Sequence, residues 1–191
     1  MKKRGHYTYI TNFLGNTFRI FPKSLIRQLF KLFKNTSGYI GLGIRYICVK
    51  NLVKSCGENV AIFPNCVIKH MDKLTLGDNV SIHSFCYIDA VGGIKIGSNV
   101  SIAHSCSLIS FSHGYEDLML PIKYNPLLMT PICISDDVWI GCGVRIIGPC
   151  EINNRVIIAA GAVVKGNIYA GGIYGGVPAK LIKKIEVPTM E

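Results

Sequence analysis

The sequence predicts an all-β fold, a parallel β-helix of triangular coils, on three observations: a recurring pentad, an aliphatic residue at every sixth position, and cysteines one coil apart. The pentads are Cys56-Gly-Glu-Asn-Val60, Leu76-Gly-Asp-Asn-Val80, Ile96-Gly-Ser-Asn-Val100, Ile134-Ser-Asp-Asp-Val138 and Ile152-Asn-Asn-Arg-Val156, and they begin 20, 20, 38 and 18 residues apart. Leu76, Ile82 and Ile88 mark out the first sixes, then Ile96, Ile102 and Leu108, then Ile134, Ile140 and Ile146, then Ile152, Ile158 and Val164. A period of six is neither the 3.6 of a helix nor the 2 of a simple strand, so short strands must alternate with regular turns. Three sixes close one coil. Stacking then lines up equivalent aliphatics inside, and the Gly and Asn of each pentad are expected at corners, where positive φ is tolerated.

The cysteines fit the same register. Cys66, Cys86 and Cys106 fall one coil apart, in line with Val144 and Ala162 of later coils, and are expected to be small interior fillers. The chain holds eight cysteines but no C-x-x-C pair, so neither a zinc site nor a disulfide framework is expected.

At 191 residues and 49% apolar content the chain can bury a full core. Its net charge of +10 resides in the first quarter: residues 1–50 hold ten Lys/Arg and no acid, whereas the remainder carries eleven of each sign. Nucleic-acid binding is not expected, because the repeat region is neutral and no known module is present. Asn12, Asn16 and Arg19 interrupt what a signal peptide would need, and no 18-residue apolar run occurs, so a cytoplasmic location is expected.

The domain reading is a basic, aromatic, partly helical segment over 1–52, the β-helix over 53–185 with a loop at 114–131, and a tail over 186–191. In the first of these, Leu25, Ile26, Leu29, Phe30 and Phe33 share a helical face, with Ser24 as a cap and Gly38, Gly41 and Gly43 as terminators. Two roles are open for this helix. It can lid the first coil, as solenoids require, or residues 18–34 can make a peripheral contact with the inner face of the membrane.

The regular coils break after Ser110-Phe-Ser-His113 and resume at Ile134, an insertion of about twenty residues of the kind that forms lids and binding loops. Tyr115, Glu116 and Asp117 lie in it, and Pro121, Pro126 and Pro131 stiffen it. His113 stands at its root. Histidine is the side chain whose ordinary titration straddles neutrality, which makes His113 the expected general base for activating a poorly nucleophilic hydroxyl.

The Ile-Gly-x-Asn-Val hexads, Asp137-Val-Trp-Ile-Gly141 and Gly176-Val-Pro-Ala-Lys180 together resemble the maltose and galactoside O-acetyltransferase branch of the hexapeptide-repeat acyltransferases, over roughly residues 55–185. The resemblance implies a left-handed β-helix, a homotrimer, and transfer of an acetyl group from acetyl-CoA to a sugar hydroxyl by direct attack with His113 as base, with no metal. It implies donor contacts at Trp139, Cys142, Ala160, Lys165, Lys180 and Lys183, with the small Gly141 and the motif's Pro178 beside them. Acceptor contacts are expected from His83, Tyr115, Glu116 and Asp117, with His83 standing where the branch keeps an asparagine. A surface polysaccharide or its precursor is the expected acceptor, the basic segment suiting an acidic or membrane-proximal one. His104 is left between groove and solvent, and His70 is expected to face solvent. N-acetylation of an amino sugar, a β-helix that only binds, and a γ-class carbonic anhydrase with three zinc-bound histidines are the other readings.

Overall fold

A computed structural model describes residues 18–185. Their centre is a solenoid of parallel strands in three columns. Strands Ser55–Cys56, Leu74–Leu76, Ile94–Ile96 and Ile132–Ile134 pair in succession along one face, and Arg145–Ile152 and Val163–Ile168 extend it. A second face stacks Ala61–Ile62, Ser81–Ile82, Ser101–Ile102, Val138–Ile140, Val156–Ile158 and Gly172–Gly175. The third runs from Val67–Lys69 through Tyr87–Asp89 and Ser107–Ile109 into Arg145–Ile152. Neighbours in these columns are 20, 20, 38 and 18 residues apart, as the pentads foretell.

The aliphatic ladder is the core. Ile82, Ile88, Ile102, Leu108, Ile134, Ile140, Ile146, Ile152, Ile158 and Val164 are completely buried. Cys66, Cys86 and Cys106 are buried with them, and each thiol donates to a carbonyl of the next coil, at His83, Ala103 and Gly141, over 3.1–3.2 Å. Burial pushes the Cys48 thiol up to about 11 and those of Cys56 and Cys150 up to about 12. A thiol-labelling reagent at pH 8 is therefore expected to modify Cys133 and Cys142 in the native protein and all eight thiols only after unfolding. Rapid native labelling at Cys86 would show that the ladder is open.

The corners divide the work of each pentad differently from expectation. Asn59, Asn79, Asn99, Asp137 and Arg155 take positive φ at the first corner. The pentad glycines do not. Gly77 is there because a Cβ would lie 2.6 Å from the carbonyl carbon of Gly97 in the next coil, so it serves close stacking rather than turning. Asparagine side chains add a second ladder, with Asn59 donating to Asn79 at 2.9 Å and Asn79 to Asn99 at 3.0 Å.

Two helices cover the first coil, α1 (Lys23–Leu32) and α2 (Gly38–Leu52). The glycines expected to stop a single helix lie inside the second one: Gly41 is under the Thr36 carbonyl, where a Cβ has no room, and tertiary packing overrides the residue's poor helix propensity. Pro22 rather than Ser24 precedes α1, with no side-chain cap. The lid is α2, whose Cys48, Val49 and Leu52 are buried in one core with Val60 and Ile62. Buried Arg45 pins it there, donating to the carbonyls of Ile62, Phe33 and Thr36 at 2.6–3.0 Å. Helix α1 packs on α2 through Ile26 and Phe30, and Leu25, expected on that face, is 49% exposed.

Candidate active site

The break in the repeat is a hairpin. Phe111–His113 pairs antiparallel with Leu127–Met129, opposing His113 to Leu127, and residues between them carry a 3-10 turn at Ile122–Tyr124. The expected loop over 114–131 thus has ordered arms, so the root of the insertion holds His113 at a fixed point on a strand. A knot of hydrogen bonds sets that root. Buried Ser110 donates through Oγ to the Asp89 carbonyl at 2.7 Å and accepts from the Gly92 N–H at 2.9 Å, while its own carbonyl accepts from Thr130 N–H at 2.9 Å. The tip is held by Asn125, 5% exposed, which accepts from the Asp117 N–H and donates to the Asp117 and Leu120 carbonyls. Glu116 accepts from the Tyr115 N–H at 2.9 Å and Asp117 from that of Met119 at 2.9 Å. His113, Tyr115, Glu116 and Asp117 are all exposed.

His70 is exposed, as expected, and is also paired. It follows the third-face strand Val67–Lys69 and sets its Nδ1 2.7 Å from the carboxylate of buried Asp89 at the neighbouring corner, one coil below the hairpin root. The residue types alone hide this pair, because Asp89 reads as an outward position.

His83 and His104 occupy a different corner, between the second and third faces. His83 stacks on Phe63, ring centroids 4.4 Å apart and planes within 5°, with Phe85 exposed at positive φ two residues on. Burial, and then the nearby His104, hold the His83 imidazole below its ordinary 6.5. Since the unfolded chain takes up that proton first, stability is present above pH 6.5 and falls as the pH drops below it. The urea midpoint of the wild type is expected to decline more between pH 7.5 and 5.5 than that of His83→Gln; parallel declines would remove His83 as a cause.

Trp139, 54% exposed, projects from the second face between Ser101 and Ile157. Gly141, Cys142 and Gly143 turn the corner beside it, and Gly161 takes positive φ one coil on, next to exposed Ala160. Gly141 is fixed by stacking, since a Cβ there would be 2.7 Å from the Ala160 amide nitrogen. Lys180 and Lys183 are exposed on the strand Lys180–Lys184, which closes the second face antiparallel to Gly172–Gly175, with Pro178 in the turn before it. Lys165 is exposed at the end of the third face. The sequence-derived donor residues, Lys165 apart, therefore gather along the second face, its corner and its closing strand. In a single protomer the third face separates His83 from His113, so the two are not brought into one groove. Among the described residues, no three His, Cys, Asp or Glu stand grouped to hold a metal.

Residues 134–166 match the family model described as bacterial transferase hexapeptide (six repeats). The chain is a β-helix that carries this hexapeptide repeat, and solved structures similar to it include acetyltransferases. One is a galactoside acetyltransferase in complex with coenzyme A, which matches over 86% of this chain and 80% of its own at 26% identity and TM-score 0.76. A maltose O-acetyltransferase from Clostridium difficile 630 matches over 86% and 87% at 27% identity and TM-score 0.73. By sequence, a 2,3,4,5-tetrahydropyridine-2,6-dicarboxylate N-acetyltransferase of Clostridium perfringens is 37% identical over 67 residues, 35% of this chain and 28% of that protein. The chain spans about a quarter of the length of the curated relatives it matches.

Proposed function

We propose that this protein transfers an acetyl group from acetyl-CoA to a hydroxyl of a sugar, a surface-polysaccharide unit or its precursor, with His113 as general base. The observation that carries the reading is the hairpin: a solenoid like that of a galactoside acetyltransferase bound to coenzyme A breaks once, and a histidine stands on the first strand of the insertion. His113 takes the hydroxyl proton as the oxygen attacks the thioester carbonyl. The tetrahedral oxyanion collapses, the C–S bond breaks, and the imidazolium returns its proton to the departing thiolate. No acyl-enzyme forms.

The donor runs along the second face past Trp139, with Gly141, Cys142 and Ala160 giving a slim pantetheine arm room, and Lys180 and Lys183 meeting its phosphates beside Pro178, while Lys165, at the end of the third face, is left for a neighbouring subunit's donor. His83, Tyr115, Glu116 and Asp117 contact the acceptor. Because one face separates His113 from His83 within a protomer, the site is assigned to the junction of two subunits of a homotrimer, the hairpin of one reaching the second corner of the next. The hairpin's surface supports that assembly: Leu118 and Met119 are 91% and 90% exposed, and Ile122 and Tyr124 about two-thirds, which is apolar area that asks for a partner.

The N-acetyltransferase relative favours a second reading, an amine acceptor on the same machinery. Release of coenzyme A thiol from acetyl-CoA, measured with free sugars, nucleotide sugars, oligosaccharides and amino sugars, separates the two. Hydroxyl acceptors are expected to drive release. Release with amines alone assigns N-transfer, and none with any acceptor leaves a binding protein.

A further inference from the structure

We propose that α1 and the turn before it form a docking face for an anionic phospholipid bilayer. Ile26 and Phe30 turn inward and join the core that holds α2 and the first coil, so the outer side of α1 is not consumed in closing the solenoid. That side is apolar. Ile20, Phe21, Leu25 and Leu32 are 85%, 47%, 49% and 76% exposed, and a groove of about 530 Å³ runs among Phe18, Phe21, Leu25, Leu29 and Leu32. Such a row on a protein surface marks a site of association.

Charge identifies the occupant. Lys23, Arg27 and Lys31 are exposed on the same ten-residue helix, no acid stands in its first turn, and residues 1–50 hold ten Lys/Arg without one Asp or Glu. A second copy would bring cations against cations, whereas an anionic lipid surface takes the basic side chains at its headgroups and the apolar ones just beneath. No helix among the described residues is long and apolar enough to cross a membrane, so the mode is in-plane.

The test is sedimentation of the full chain with vesicles of phosphatidylcholine alone or mixed with phosphatidylglycerol, at low and high salt. Binding is expected with the mixed vesicles only, reduced about tenfold both in Leu25→Glu/Leu32→Glu and in Lys23→Gln/Arg27→Gln/Lys31→Gln. Circular dichroism of both variants should match the wild type. The proposal is overturned by equal binding to neutral vesicles, by binding that salt abolishes but the leucine variant retains, or by no binding at all. It is equally overturned if the leucine variant changes the mass by light scattering while vesicle binding persists, which would make the groove a contact between copies.

Discussion

In His113→Ala the rate of acetyl transfer is expected to fall about 10²- to 10⁴-fold at saturating acetyl-CoA, while affinity for coenzyme A stays within experimental error. The separation follows from where the groups lie. The residues proposed to hold the donor, Trp139, Cys142, Ala160, Lys180 and Lys183, sit on the second face, its corner and its closing strand, and His113 sits beyond the third face on a hairpin arm. Removing the imidazole deletes the proposed proton acceptor without touching the wall proposed to hold the coenzyme. What remains comes from holding donor and acceptor together, which itself supplies a large part of catalysis. Steady-state rates and coenzyme A calorimetry on the variant check both halves. A parallel loss of coenzyme A binding would recast His113 as part of the donor wall.

The largest effect on stability is expected from Ile140→Ala, at about 2–5 kcal/mol. Ile140 is fully buried and lies in register between Ile102 below and Ile158 above. Its coil cannot sink to fill the hole. Ala103 N–H donates to the Ile140 carbonyl at 2.9 Å and Gly141 N–H to the Ile158 carbonyl at 2.8 Å, so three coils keep their spacing whatever the side chain between them. The cavity term therefore adds fully to the lost burial. Trp139→Ala, one residue away but facing out, is expected to cost little stability. Urea unfolding of the two variants tests the contrast, and equal destabilisation would mean that the outward tryptophan is structural.

The solenoid was legible because its signal repeats: each inward position recurs in four or five coils, and one misplaced residue cannot obscure the register. The ladder of Leu76 to Val164 and the Cys66, Cys86, Cys106 line are found where the sixfold spacing puts them. The helical cap was half legible. Gly41 reads as a terminator because intrinsic propensity is local, whereas its place in α2 is decided by the Thr36 carbonyl, which leaves no room for a Cβ and accepts from Arg45 of the same helix. In the site, spacing located His113 and the insertion but not the root that fixes them. Ser110 and Asp89 act through one backbone carbonyl and a buried carboxylate, which leave no periodic trace. Nor could spacing tell which histidine shares the hairpin's corner. That is His70, because corners alternate with strands and a pairing across coils depends on where each face ends.

The proposed placement of acetyl-CoA against the second face can be read directly from Trp139, the chain's single tryptophan and half exposed there. Titration of the wild type with acetyl-CoA, followed by tryptophan emission, is expected to give a saturable change with a midpoint in the micromolar to millimolar range. The same curve is expected from His113→Ala and a weaker one from Lys180→Glu/Lys183→Glu. An emission spectrum indifferent to acetyl-CoA, with calorimetry detecting no binding at millimolar donor, would contradict it.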